Sequence, residues 1–300
     1  MNLQRILGIF GRKFKLTAYS AVSCLPLHGI TRPVFIIGCG RSGTTIFGTS
    51  LSKHKDVTYL NEPRHLWYAV YPETDVWTRK ARSRNGRLAF TAADAEPKKS
   101  KKLSRLFRFE AMKRGRPVLI EKLPTNSFRL DFLHRIFPDA RFIHIYRSGI
   151  EVARSIETIS EKGGWYGRTS YKWDKLVEYA SNRDDENNLP ALCSTYFEKG
   201  LLEWRLSTEA VVGFARHLAE EDFFELNYDE LIEHPLDTLL RVLKFLGLDD
   251  DREVKKFGSE KIVRKTSKLG QRKISDKEKI LGGNLLPLSM DGGKGLTNRV

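Results

Sequence analysis

Between the apolar run Val34-Phe35-Ile36-Ile37 and the stretch Ile46-Phe47-Gly48-Thr49-Ser50-Leu51 lies the octapeptide Gly38-Cys39-Gly40-Arg41-Ser42-Gly43-Thr44-Thr45. No other segment narrows the possible folds as much. A buried strand that turns through glycines into a helix points several backbone N–H groups, and the positive end of the helix, at one place, and that place can hold a phosphate. Arg41 adds a full cation. The spacing from Gly38 to Gly43 matches the first half of a nucleoside-triphosphate loop, but Thr44 stands where that loop requires lysine, which disfavours triphosphate hydrolysis. A glycine-rich turn can be purely structural; the concentration of Arg41, Ser42, Thr44 and Thr45 in it favours a ligand.

The strand-loop-helix pattern recurs. Val118-Leu119-Ile120 runs into the polar turn Glu121 to Asn126, and Phe128, Phe132, Leu133 and Ile136 then follow a helical period that Pro138 ends. Arg141 to Tyr146 meets Arg147-Ser148, and Ile150, Val152, Ala153 and Ile156 continue as a helix. A long helix is expected from about Tyr196 to Leu218, then a strand Phe223 to Leu226 leading to Tyr228-Asp229-Glu230-Leu231 and a helix Leu236 to Leu246. Alternation of this kind predicts an α/β protein with a central parallel sheet flanked by helices.

With 300 residues, one elaborated domain over 1–300 is expected. Three parts of it stand apart: a basic amphipathic segment at 1–30, a polar insertion at 74–116 that reads as a mobile, solvated excursion around Lys98-Lys99-Ser100-Lys101-Lys102, and a basic C-terminal loop region at 261–300.

The net charge of +15 points to anionic partners: nucleotides, nucleic acid, anionic glycans or a lipid surface. Cys24, Cys39 and Cys193 have neither disulfide-framework nor zinc-ligand spacing, so a reducing, cytoplasmic setting is expected, without a metal. Lys13, Lys15 and His28 interrupt any stretch long enough to span a bilayer; the opening segment either lies on a membrane surface or packs as an ordinary helix. The basic runs are not interleaved with aromatics in a recognised nucleic-acid module, which argues against a nucleic-acid partner.

From about residue 33 to 248 the chain resembles the sulfotransferase superfamily, and its bacterial and carbohydrate-modifying members more than the phenol and steroid enzymes. The octapeptide matches that family's 5′-phosphosulfate loop, and Arg147-Ser148-Gly149-Ile150-Glu151-Val152-Ala153-Arg154-Ser155 matches the block in which an arginine and, eight residues on, a serine hold a 3′-phosphate. Glu121 to Asn126, Phe137 to Ile143 and Tyr228 to Ile232 with Phe245-Leu246-Gly247 resemble further family blocks.

The resemblance implies a P-loop-like sulfotransferase fold and 3′-phosphoadenosine 5′-phosphosulfate as sulfuryl donor. It assigns Gly38, Gly40, Arg41, Ser42, Gly43, Thr44 and Thr45 to the 5′-phosphosulfate, and Arg147 and Ser155 to the 3′-phosphate, a fork and a hydroxyl on one helix face. It makes Lys122 a contact to the transferred group. Glu62, in Leu60-Asn61-Glu62-Pro63-Arg64, becomes the general base, with His65 in reserve, and desolvation is the expected route to a basic carboxylate. Lys268 and Arg272, in the basic tail, would close over the nucleotide.

Arg41 replaces the lysine of the phenol-type loop and leaves the leaving-group acid unassigned. The expected acceptor is a hydroxyl of a saccharide or glycolipid, then of a small-molecule metabolite or an amine, with Trp67, Tyr68, Trp77, Trp165, Tyr166 and Trp173 as candidate stacking faces. A P-loop kinase and a basic nucleic-acid-binding protein are the rival readings. The sequence assigns neither an adenine-contacting residue nor an oligomeric state.

Overall fold

A computed structural model describes residues 28–166, 169–183, 188–262 and 274–283. Five parallel strands form its sheet: β1 (Val34–Ile37), β2 (Val57–Asn61), β3 (Val118–Lys122), β4 (Arg141–Tyr146) and β5 (Phe223–Asn227), in the order β2-β3-β1-β4-β5. All four residues of β1 are buried, because helices cover both faces of a parallel sheet, and this is why that strand reads as an unbroken apolar run. From β1 the chain builds outward on one side to β3 and β2 and on the other to β4 and β5. The carboxyl ends of the strands next to β1 therefore frame the crevice in which open α/β sheets bind ligands.

Helix α1 (Thr44–Leu51) follows the glycine-rich loop, and α2 (Arg64–Val70) follows β2. Next come α3 (Pro97–Arg114), α4 (Leu130–Ile136), α5 (Gly149–Glu161), α6 (Tyr171–Ser181) and α7 (Tyr196–Ala215). The last are α8 (Tyr228–Glu233), α9 (Pro235–Leu246), α10 (Arg252–Lys261) and α11 (Asp276–Leu281). On one face α2, α3, α4 and the end of α7 close over an aromatic core in which Phe35 packs on Phe137 and Phe142 at 5.4 and 5.8 Å and Trp67 meets Phe107 edge-on at 5.8 Å. On the other face Phe47 and Leu51 of α1 join Leu239 and Leu243 of α9 and Val254 of α10 over Val34 and Ile36. No helix among the described residues is long and apolar enough to cross a membrane.

Residues 74–116 are not a solvated excursion. Leu103, Leu106, Phe107 and Ala111 of α3 are buried in the main core, at a helical spacing that the preceding lysines obscure. The stretch before α3 is pinned from below by Arg129, which is fully buried and donates to the carbonyls of Leu88, Thr74 and Arg87, each at 2.9 Å. Arg129 also interrupts the helix expected from Phe128 onward: a 3-10 turn spans Pro124–Phe128, and α4 starts only at Leu130.

Candidate functional site

The loop after β1 takes up the shape its composition allows. Gly38 (φ 132°) and Gly43 (φ 90°) are left-handed, and a Cβ on Gly43 would run into the ring of Tyr228. Arg41 is left-handed as well (φ 78°), which turns its side chain outward into solvent. Ser42 is buried, and its hydroxyl has no hydrogen-bond partner among the described residues. A buried, unpartnered hydroxyl in a glycine-rich turn at a helix start suits an anionic oxygen.

The ends of the other strands converge on this loop. Lys122, the last residue of β3, is 1% exposed and so is no surface lysine; its Nζ donates to Thr45 Oγ1 at 3.0 Å and to Glu62 Oε1 at 2.8 Å. Glu62, one residue past β2, is held in a left-handed conformation (φ 49°) by its own N–H, which donates to the Lys122 carbonyl at 2.7 Å. Its other carboxylate oxygen accepts from Arg64 Nη2 at 2.5 Å.

The electrostatics of Glu62 run against expectation. Burial pushes its carboxyl up, but Lys122, Arg64 and Arg41 together hold it below the usual carboxylate range, so it is ionised and weakly basic rather than raised by desolvation. Burial in turn pulls the Lys122 ammonium down, with Glu62 opposing that shift. Glu121, one residue earlier, points to the other face of the sheet. It is fully buried, pushed up to about 8 by desolvation, and accepts from Trp67 Nε1 at 2.9 Å and Asn126 Nδ2 at 3.0 Å, tying α2 to β3 behind the site.

Arg147, just past β4, forks onto Glu151 with bonds of 3.1 and 3.0 Å and lies 4.5 Å over the ring of Tyr228. Its carbonyl accepts from Trp204 Nε1 at 3.0 Å, which fixes the turn. Ser155, on α5, accepts from Arg41 Nε at 3.0 Å. The two groups that the family resemblance assigns to opposite ends of a nucleotide thus share neighbours: Arg41 reaches Ser155, and Tyr228 lies between Gly43 and Arg147. His65 sits on the exposed side of α2. Lys268 and Arg272 lie outside the described residues, as does the segment 1–27.

Three of the aromatic residues expected to offer stacking faces, Trp77, Trp165 and Tyr166, come together in a second layer, with the unforeseen Lys172 and Glu203. Trp165 (φ 40°) packs its ring against Gly40 of the loop and meets Trp77 edge-on at 5.2 Å, and Arg64 stacks 4.6 Å over Trp77. Trp165 is anchored by its Nε1, which donates to Glu203 at 2.8 Å, and Glu203 also accepts from Tyr166 Oη and Lys172 Nζ. The Lys172 ammonium is buried 4.0 Å from the Trp165 ring and 4.6 Å from that of Trp77. Cys39 packs against Val152, Ile156 and Trp204, and burial with the nearby Glu203 pushes its thiol well up. Tyr228 carried a usable signal, since it follows a strand end as Glu62 and Arg147 do. Lys172 and Glu203 carried none, being distant in sequence and on separate helices.

A model of the sulfotransferase family matches residues 33–252 of the chain. The omega-hydroxy-beta-dihydromenaquinone-9 sulfotransferase Stf3 of Mycobacterium tuberculosis is 32% identical over 148 residues, which are 48% of this chain and 33% of that protein. The nodulation protein NoeE of Sinorhizobium fredii is 25% identical over 239 residues, 76% of this chain and 52% of that protein. The chain thus spans between a third and about half of the length of these relatives. Among solved structures, the sulfotransferase domain from the curacin biosynthetic pathway superposes with a TM-score of 0.49 at 15% identity, over 76% of this chain and 77% of that one.

Proposed function

The chain belongs to the sulfotransferase family, and from that premise we propose that it transfers the sulfuryl group of 3′-phosphoadenosine 5′-phosphosulfate to an acceptor hydroxyl, within a single cytoplasmic domain and without a metal. The observation that carries this reading is the contact of Lys122 with both Thr45 and Glu62, which sets a buried cation and a carboxylate against the opening of a phosphate-binding turn. The turn's N–H groups, Ser42, Thr44 and Arg41 bind the 5′-phosphosulfate; Arg147 and Ser155 bind the 3′-phosphate; Tyr228 lies beside the nucleotide between them.

In the transfer, the acceptor oxygen forms the new bond to sulfur as the bond from sulfur to the 5′-phosphate oxygen breaks. The electron pair leaves on the phosphate, and the acceptor proton passes to Glu62. Arg41 and Lys122 offset the charge on the sulfuryl and bridging oxygens, so most of the acceleration comes from positioning and fixed charge. Glu62 alone is a weak base because three cations surround it. An anionic donor seated on Arg41 and Lys122 offsets two of them, and the proton affinity of Glu62 rises when the donor is bound.

The acceptor side is the wall formed by Arg64, Trp77 and Trp165, which offers aromatic faces beside Glu62. That wall suits a hydroxylated small molecule, free or lipid-linked, or a sugar ring, and Stf3, a similar protein, is named for a hydroxylated menaquinone. The decisive measurement is calorimetry with 3′-phosphoadenosine 5′-phosphate, followed by a labelled-donor assay on a panel of hydroxylated acceptors. Binding heat that disappears in Arg147→Ala is expected. No heat with folded protein overturns the reading, and magnesium-dependent ATP turnover replaces it with a kinase.

A further inference from the structure

Helix α3 carries a second charged feature that the transfer site does not use. Lys98, Lys101, Lys102, Arg105, Phe109, Met112 and Lys113 fall within an arc of about 120° at 3.6 residues per turn. The arc lies opposite the buried stripe of Leu103, Leu106, Phe107 and Ala111. Lys98, Lys101, Lys102 and Lys113 are exposed, and Met112, at 53%, is the most exposed large apolar side chain among the described residues.

The carboxylates of this helix serve its flanks. Glu96 pairs with Lys99 and Glu110 with Arg114, while no ion pair holds Lys98, Lys101, Lys102 or Lys113 among the described residues. Beside the stripe opens a cavity of about 500 Å³ lined by His28, Ser100, Lys101, Ser104, Arg105 and Arg135, with no acidic residue in its described lining. Ser104 accepts from the N–H of Ile30, ahead of β1, and Arg135 ends α4, ahead of β4, so the cavity faces the amino edge of the sheet, away from the transfer site.

We propose that this face of α3 docks the protein on an anionic phospholipid bilayer, with the cavity receiving a headgroup phosphate between Lys101 and Arg135. Charge complementarity argues for a polyanionic partner, and the apolar side chains decide which. Phe109 and Met112 on the same side gain by entering a bilayer interface and gain nothing against a nucleic-acid backbone. A single helix lying flat, lysines spread about an apolar centre, has the form of an interfacial element. The inference is independent of the acceptor's identity.

The test is cosedimentation of the full chain with vesicles of phosphatidylcholine alone and with phosphatidylglycerol added. Binding is expected only to the anionic vesicles and falls as salt is raised. In Lys98→Gln/Lys101→Gln/Lys102→Gln it weakens by about a hundredfold, at roughly a few-fold per lysine. Met112→Ser, which changes no charge, weakens it several-fold, and both variants keep full binding of 3′-phosphoadenosine 5′-phosphate, which shows that they are folded. The proposal is overturned if the lysine variant sediments like the parent. It is equally overturned if anionic vesicles fail to bind while inorganic phosphate or duplex DNA binds in a manner that depends on these lysines.

Discussion

Replacing Glu203 with glutamine separates two jobs that the buried network performs. Glu203 is 3% exposed and accepts from Lys172, Trp165 and Tyr166; Lys172 is 1% exposed. In Glu203→Gln one carbonyl oxygen remains for three donors, and the ammonium loses its counter-charge. Removing one partner of a buried pair costs about 3–5 kcal/mol. The Trp165 and Trp77 rings already face the ammonium in the parent, so their cation–π attraction offsets none of the change. A loss of about 3–5 kcal/mol is therefore expected, read as a lower urea midpoint at unchanged slope.

The loss should also depend on pH in a defined sense. Burial already pulls the Lys172 ammonium down from its usual range, and Glu203 is the first group opposing that shift. Without Glu203 the folded chain holds fewer protons than the unfolded chain at pH values between the two lysine pKa values, so the variant gains stability as pH rises through that window. The double variant Lys172→Met/Glu203→Leu should recover most of the stability, because matched apolar replacements of a buried pair are often near neutral. It should still bind 3′-phosphoadenosine 5′-phosphate about tenfold more weakly, since Trp165 has lost the anchor that presses it on Gly40. A Glu203→Gln protein within about 0.5 kcal/mol of the parent, or a double variant with parental nucleotide affinity, would refute the reasoning.

Glu62→Gln should lower turnover by roughly 10²–10⁴-fold with nucleotide binding retained. Because cations hold the Glu62 carboxyl below 4.5, kcat/KM of the parent should show no acid limb down to about pH 5, and a limb at higher pH would refute Glu62 as the base. Gly43→Ala, which forces a Cβ at φ 90° into the Tyr228 ring, should cost about 1–3 kcal/mol in stability and weaken nucleotide binding, with partial rescue by Tyr228→Ala. Glu121, pushed up to about 8, is neutral in the fold at pH 7 and ionised in the unfolded chain. Its contribution is therefore complete below roughly pH 4.5 and is lost by up to about 1.4 kcal/mol per pH unit as pH rises toward 8, a slope that Glu121→Gln should remove in pH-dependent unfolding.

The strand-loop-helix units at β1, β3 and β4 were readable because each strand is an apolar run with a polar turn at its carboxyl end, and the ligand site of such a sheet is built from those turns. Arg41 could therefore be singled out from order and residue type, while Glu62, Lys122, Arg147 and Ser155 were assigned through the resemblance to the sulfotransferase family. Other features were hidden by the residues around them. Four lysines within Lys98 to Lys102 gave α3 the look of a loop, although its core-facing positions follow immediately after. β2, with the sequence Val57-Thr58-Tyr59-Leu60-Asn61, is short and lacks the glycine punctuation that marked β1. The direction of the Glu62 shift was unreadable because it depends on three cations from three different segments, and only the fold brings Lys122 and Arg41 to the carboxylate that Arg64 also reaches. The contact from Lys172 to Glu203 joins two helices, and no local pattern encodes it.

Six non-glycine residues among those described have positive φ: Arg32, Arg41, Glu62, Asn85, Trp165 and Asn188. Asparagine adopts this conformation readily, but arginine, glutamate and tryptophan do not, and Arg41, Glu62 and Trp165 surround one point. Each such residue costs about 1–3 kcal/mol and persists only where its surroundings over-determine it. The bonds that do so are on hand: Arg41 is held by Ser155, Glu62 by the carbonyl and ammonium of Lys122, and Trp165 by Glu203. In the proposed transfer, side chains fixed in this way would point where charge develops and need not reorganise as the reaction proceeds, and reorganisation is the cost that water imposes on the uncatalysed reaction. On the proposed mechanism, the strain around Arg41, Glu62 and Trp165 is the structural cost of aiming a cation, a base and an aromatic wall at one another, and the buried pair of Lys172 and Glu203 is part of what makes it sustainable.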